Sequence, residues 1–317
     1  MIRPLRRPAL PRRRTEGVPS AVTRRIPCRP WEKGLPASEG ARGGEPETGL
    51  LRKPAILAGL LFLLASLSLG ADPFLLPLHE EERPPTPVSG YESLSDELKE
   101  MQDDDFSNPG MMMVDLGREL FHQPRFSGDS CATCHGENGE RLDRGRIAAY
   151  PVWDEEEGAP VNLQMRINLC LERHMDEFRL PYNHTDLLAL ETFVRYLARG
   201  EKVHVSIEGP MREHWERGRR IFHTRSGQYG FACVHCHEYY VGLRLRSLEL
   251  TQAQTNGFPS YLLRSGKILN LHQKFVGCYQ NLRAEPYEPG SPELLDLEIY
   301  LGWRGNGLPI ETPAVRP

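Results

Sequence analysis

Methionine is scarce and unevenly placed in this 317-residue chain: none lies between Met1 and Met101, and none follows Met211. The second gap excludes a thioether metal ligand from the final third of the sequence. The first leaves Met1, or a non-methionine codon near Val22, Leu50 or Leu51, as the expected start. The apolar run Ala55–Leu69 is shorter than the ~20 residues that a membrane span requires. No cysteine stands at the end of that run, which excludes a lipid-modified terminus. Net positive charge is missing from the body of the chain. Residues 1–53 hold 13 of the 39 Lys and Arg but 5 of the 43 Asp and Glu, a net +8, so the remainder carries −12. An acidic body lacks the basic face that nucleic-acid phosphates require.

What is present begins with an address. Arg52-Lys53, the apolar run and the small residues Ser68 and Gly70 form a secretory signal, with cleavage expected between Gly70 and Ala71 and a periplasmic product. Residues 1–70 therefore read as a basic presequence plus signal, and residues 71–107 as an extended Pro- and acid-rich leader. Within the leader, Leu94, Leu98 and Met101 recur at helical spacing and predict a short helix over Ser93–Gln102.

Two segments carry chemistry. Cys131-Ala-Thr-Cys-His135 and Cys233-Val-His-Cys-His237 each place two thiols three residues apart with an imidazole directly after. This is the attachment motif of a c-type haem: each thiol adds to one porphyrin vinyl group, and the histidine reaches the iron. A zinc ribbon also pairs two CxxC units, but over a much shorter gap and without a histidine after each. Two covalently bound haem c groups are expected.

The surroundings repeat with the motifs. Leu116-Gly117-Arg118-Glu119-Leu120-Phe121-His122 answers Arg217-Gly218-Arg219-Arg220-Ile221-Phe222-His223, and Leu187-Leu188-Ala189-Leu190-Glu191 answers Leu294-Leu295-Asp296-Leu297-Glu298. Three anchors in the same order predict an internal duplication. The fold expected is all-α, two tandem cytochrome c-like domains at 108–200 and 208–317, joined by a polar connector around Glu201–Pro210. Asn108-Pro109 is the expected start of the first helix, Thr185–Arg199 the closing helix of the first domain, and Ser291-Pro292-Glu293 the start of the closing helix of the second.

Each iron has a further axial position. With Cys28 in the presequence and four cysteines committed to haem, Cys170 and Cys278 remain, one per repeat. They form a disulfide, lie as inert buried thiols, or supply a thiolate to their own iron, and their matched positions argue for the last. Met165 and Met175 flank Cys170 and keep His/Met ligation open for the first haem. His272, Lys274 and Cys278 are the donors downstream of the second motif.

Ile167-Asn168-Leu169-Cys170 and Leu271-His272-Gln273-Lys274-Phe275-Val276-Gly277-Cys278, continuing into Asn281-Leu282-Arg283-Ala284-Glu285-Pro286, resemble the SoxA family. These are the dihaem subunits of SoxAX cytochromes, L-cysteine S-thiosulfotransferases of bacterial sulfur oxidation. The resemblance implies His135 and Cys170 as axial ligands of the first iron, and His237 and Cys278 of the second. It implies Cys278 as the catalytic residue, carried as a persulfide. It further implies a SoxX-type cytochrome as partner subunit, thiosulfate as substrate, a cysteine of the carrier SoxYZ as acceptor, and a downstream cytochrome as electron acceptor. The family commonly has arginine four residues before the active cysteine. Here it is Lys274, which keeps the charge and loses the bidentate fork. The rival readings are a plain dihaem electron carrier and a dihaem peroxidase. The latter needs an iron position open to peroxide, which a downstream cysteine on each haem would close.

Overall fold

The structure, a computed structural model, describes residues 86–245 and 248–317. The presequence, the Ala55–Leu69 run, the expected cleavage at Gly70–Ala71 and the first part of the leader lie outside the described residues.

Glycine sets how the main helices meet. Helix α2 (Met111–His122) packs on α6 (Thr185–Leu197), and α7 (Met211–His223) packs on α9 (Pro292–Arg304). At the first crossing a Cβ on Gly117 would stand 2.1 Å from the carbonyl oxygen of Ala189; at the second, a Cβ on Gly218 would stand 1.9 Å from that of Asp296. Only hydrogen fits at either point. The rings beside the crossings repeat as well. Phe121 meets Phe193 with centroids 5.2 Å apart, and Phe222 meets Tyr300 at 5.3 Å. His122 bonds through Nδ1 to the carbonyl of Arg118 at 2.7 Å, and His223 to that of Arg219 at 2.9 Å. The glycines, Phe121 and Phe222, and His122 and His223 are residues that the two sequence repeats align, and Phe193 and Tyr300 each stand two residues beyond the second aligned segment.

Between the members of the first pair run α3 (Cys131–His135), α4 (Arg144–Ala149) and α5 (Leu163–His174); α8 (Leu271–Asn281) precedes α9. Ahead of them lies α1 (Asp96–Asp103), close to the helix expected from the leader. Strands appear that no periodicity announced, each two or three residues long: β1 (Val152–Asp154) with β2 (Ala159–Val161), β3 (Arg244–Leu245) with β4 (Leu248–Glu249), and a sheet ordered β6-β5-β7. In that sheet β5 (Ser260–Leu262) pairs antiparallel with β6 (Lys267–Leu269) and parallel with β7 (Ala314–Arg316). Strands this short carry too few residues to show an alternation.

One expected boundary moves. Helix α2 starts at Met111, not at Asn108-Pro109. Asn108 is buried and already engaged: its amide donates to the carbonyls of Gln102 (3.1 Å) and Pro313 (2.9 Å), and its Oδ1 accepts from Gly110 N–H (2.9 Å). The asparagine therefore clamps the α1 arm and the chain's end instead of capping the helix directly. The connector is also built in. Val203 and Val205 are buried, and Val203 N–H donates to Leu308 at 2.9 Å. A single apolar core continues through both helix pairs.

Candidate functional site

Helix α3 consists of the first CxxCH segment and nothing else. Ser130 and Thr133 cap it reciprocally, each side chain bonded to the other's backbone N–H, and Gly136, at φ +85°, turns the chain away behind His135. One helical turn brings Cys131 and Cys134 to the same face. Burial pushes the Cys131 thiol up to about 11 and draws the His135 imidazole down, which keeps the ring neutral with a lone pair to give. Helix α5 brings Cys170 into electrostatic range of Cys131 and Cys134. Burial raises the Cys170 thiol, and Arg166 and then Arg173 oppose that rise. Arg166 is itself paired with Asp154. Of the flanking methionines, Met175 is buried at the end of α5 and Met165 lies partly buried against the core.

The second segment is shaped differently. Cys233 opens a short helical turn that widens into a π-helical turn over His235–Tyr239, containing Cys236 and His237. Such turns recur at functional sites because they re-aim side chains that a regular helix would spread. His237 Nδ1 donates to the carbonyl of Thr251 at 2.7 Å, so the proton is held on that nitrogen and Nε2 keeps its lone pair. Burial lowers the imidazole's affinity for a second proton, and Lys274 and Arg304 add to this. Helix α8, capped by the reciprocal pair Asn270 and Gln273, places Cys278 beside Cys233 and Cys236. Burial raises the Cys278 thiol, while Lys274, one turn earlier, and Arg264, in the β5–β6 turn, favour its anion. Burial pushes Cys233 up to about 12, with the neighbouring Cys278 adding to it.

The nine residues picked out by the sequence thus gather in two clusters. Cys131, Cys134, His135 and Cys170 form one; Cys233, Cys236, His237, Lys274 and Cys278 form the other. His272 stays apart from this chemistry. It is buried, its Nε2 bonds to Glu298 (3.0 Å), and its Nδ1 accepts from Gly290 N–H (2.9 Å). None of the six described cysteines is joined to another in a disulfide. Sequence reasoning missed Arg264 and the Thr251 carbonyl, since the first reaches the cluster from the β5–β6 turn, outside the spacing of α8, and the second is backbone. It also missed that Asn162, the α5 cap, precedes Cys170 by the same eight residues that separate Asn270 from Cys278, which the repeat would have revealed.

The donors fit haem and not a bare ion. Among the described residues no three His, Cys, Asp or Glu side chains stand close enough to hold a metal between them. Beside the first cluster, the buried Nε atoms of Arg125 and Arg166 have no hydrogen-bond partner, as suits cations facing an acidic group.

Helix, CxxCH segment and closing helix in this order define a c-type cytochrome, a carrier of covalently attached haem, and residues 116–203 match the family described as SoxA/TsdA, cytochrome c domain. The L-cysteine S-thiosulfotransferase subunit SoxA of Rhodovulum sulfidophilum is 36% identical over 85% of this chain and 98% of its own length. The SoxA subunit of Paracoccus pantotrophus is 34% identical over 73% of this chain and 79% of its own. In three dimensions the chain is similar to a chain of the crystal structure of SoxXA from P. pantotrophus, with a TM-score of 0.70, 34% identity and coverage of 73% and 87% of the two chains. The chain belongs to the SoxA family of L-cysteine S-thiosulfotransferase subunits. No helix among the described residues is long and apolar enough to cross a membrane.

Proposed function

We propose that this chain attaches thiosulfate to a cysteine of the SoxYZ carrier through Cys278, in the periplasm and in complex with a SoxX-type cytochrome subunit. The observation that carries this reading is Cys278 itself, set against the second CxxCH segment with Lys274 one turn before it. In this reading residues 108–200 and 208–317 are two cytochrome c-like units. Cys131 and Cys134 would hold one haem covalently, with His135 and Cys170 as its axial ligands. Cys233 and Cys236 would hold a second, with His237 and Cys278. When bound, haem c supplies a one-electron acceptor next to the reacting thiol.

The chain's residues account for the remainder. Thiolate is the nucleophilic form of cysteine, and Lys274 and Arg264 favour it at Cys278. The same cations draw the sulfonate end of thiosulfate and leave its sulfane sulfur facing Cys278 Sγ. A sulfur–sulfur bond forms there as two electrons leave the pair, giving a Cys278 thiosulfonate. A carrier thiolate then attacks the sulfane sulfur, the bond to Cys278 breaks, and Cys278 returns as thiolate. The net change is the loss of one thiol proton and two electrons for each thiosulfate attached. The electrons pass to the companion subunit and on to a downstream cytochrome. With Cys278 at rest as the persulfide that the family resemblance implies, its outer sulfur takes the place of Sγ in both steps: it bonds to the sulfane sulfur as two electrons leave, and the carrier thiolate's attack on that sulfane sulfur returns the persulfide.

The test is the mass of the Cys278 peptide from the exported protein, followed by turnover of Cys278→Ser. Two haems, added sulfur on that peptide, and a loss of thiosulfate-dependent turnover of at least about a hundredfold in a folded, haem-loaded variant are expected. A bare Cys278 together with full thiosulfate-dependent turnover of Cys278→Ser would reject transfer through Cys278, and a bare Cys278 with no thiosulfate-dependent turnover in the unaltered protein would favour a plain electron carrier.

A further inference from the structure

Both helices that carry a downstream cysteine begin in the same way. Asn162 caps α5, Gln164 follows two residues later, and Cys170 eight residues later; Asn270 caps α8, with His272 and Cys278 at the same intervals. The residue at the second position reaches a glutamate on the closing helix in each half. Gln164 Nε2 donates to Glu191 Oε2 at 2.5 Å, and His272 Nε2 to Glu298 Oε2 at 3.0 Å. Glu191 and Glu298 are themselves equivalent in the repeat.

The symmetry breaks at one atom. Glu298 Oε2 also accepts from Asn162 Nδ2, at 2.7 Å, and Asn162 belongs to the first half. Asn162 Oδ1 in turn accepts from its own helix at Met165 N–H (3.0 Å) and from the Tyr182 hydroxyl (2.9 Å). Tyr182 lies stacked on His272 with centroids 5.2 Å apart, and its carbonyl accepts from Asn270 Nδ2 at 3.2 Å. The tautomer of His272 follows from its partners. Gly290 N–H donates to Nδ1, so that nitrogen has no proton and Nε2–H is the donor to Glu298. His272 is 2% exposed and the Glu298 side chain 16%, so water competes little for these bonds.

We infer that Glu298 is a positioning residue for Cys278: one carboxylate oxygen, shared between Asn162 and His272, ties the first turn of the Cys278 helix to the first turn of the Cys170 helix. The first half of the chain thereby sets where the second half's thiol stands. The inference rests on the reading of Cys278 as the reacting thiol. A clamp at the start of α8 acts on Cys278 because a helix transmits a rigid shift along its length, and misplacing a reacting group by about 1 Å costs up to about a hundredfold in rate.

The experiment uses the haem-loaded protein with its partner subunit and the variants Glu298→Ala, Glu298→Gln, Asn162→Ser and Cys278→Ser. Serine keeps the helix cap at 162 but has no amide to donate to Glu298. Glutamine keeps an acceptor oxygen able to take both bonds. Glu298→Ala and Asn162→Ser are expected to lower kcat about tenfold with KM nearly unchanged, and to shift the low-spin electron paramagnetic resonance signal of the second haem. Glu298→Gln should restore both. An unchanged signal and kcat in Asn162→Ser, or a Glu298→Gln as impaired as Glu298→Ala, would overturn the inference. Full turnover in Cys278→Ser would overturn the sulfur-transfer reading instead, and the clamp would then stand or fall on the resonance signal alone.

Discussion

At Cys278 two cations serve one thiol, and they come from different places in the chain. Lys274 is fixed by helical spacing, whereas Arg264 sits in the turn between β5 and β6. The ammonium of Lys274 is a point charge, and a sulfonate is better held by the planar fork of a guanidinium. Arg264 supplies a guanidinium that the 274 position lacks. In the proposed reading Lys274→Ala and Arg264→Ala are each expected to raise the KM for thiosulfate by about three- to tenfold, with a smaller effect on kcat because the remaining cation still favours the Cys278 thiolate. Lys274→Arg should hold or lower KM. Steady-state turnover over a range of thiosulfate concentrations checks this, and an Arg264→Ala with unchanged KM would confine steering to Lys274. High salt should weaken the Arg264 contribution more, because that side chain is exposed.

Among the elements, the helix crossings are the least forgiving. A methyl group on Gly218 would meet the Asp296 carbonyl at 1.9 Å, and backbone cannot swing aside as a side chain can. Gly218→Ala and Gly117→Ala are each expected to cost about 3 kcal/mol, a fall in Tm of roughly 5–10 °C, by forcing α7 from α9 or α2 from α6. Differential scanning calorimetry of the haem-loaded protein measures it, and a shift under 2 °C would mean that the crossings have slack. These glycines were legible in the sequence as members of the repeat, as were the CxxCH segments, the closing helices and the paired cysteines. Covalent haem chemistry and helix periodicity act over a few residues, so they leave local marks. The short strands, the true start of α2 and Arg264 left none: the strands are too short to show an alternation, Arg264 acts across a hairpin turn outside any helical spacing, and the start of α2 is decided by a partner far away in the chain. Asn108 has the composition of a helix cap and is recruited instead by Pro313, 205 residues further on.

Over the whole molecule, that contact belongs to a larger closure. The α1 arm and the end of the chain hold each other. Gln102 Oε1, which is buried, accepts from Val315 N–H (3.0 Å) and Arg316 Nη1 (2.6 Å), and Asn108 reaches the Pro313 carbonyl. Strand β7 then pairs with β5, whose turn carries Arg264. Ala314 and Val315 are completely buried in this arrangement. Ending the chain after Thr312 removes their burial, the parallel pairing and both partners of Gln102 Oε1. The apolar part alone is worth about 2–3 kcal/mol, so a fall in Tm of roughly 5–10 °C is expected. Two further consequences separate this closure from a general loss of stability. Limited proteolysis should open new cuts within residues 91–106, where the arm has lost its anchor. The KM for thiosulfate should rise as in Arg264→Ala, while the spectrum of the haem proposed at the second segment stays unchanged, because the cap at Asn270 and the bond from His272 to Glu298 hold the start of α8 without β7. If the arm stays protected and KM stays put, the chain's end covers the core without tensioning the β5–β6 turn, and Arg264 owes its place to the hairpin alone.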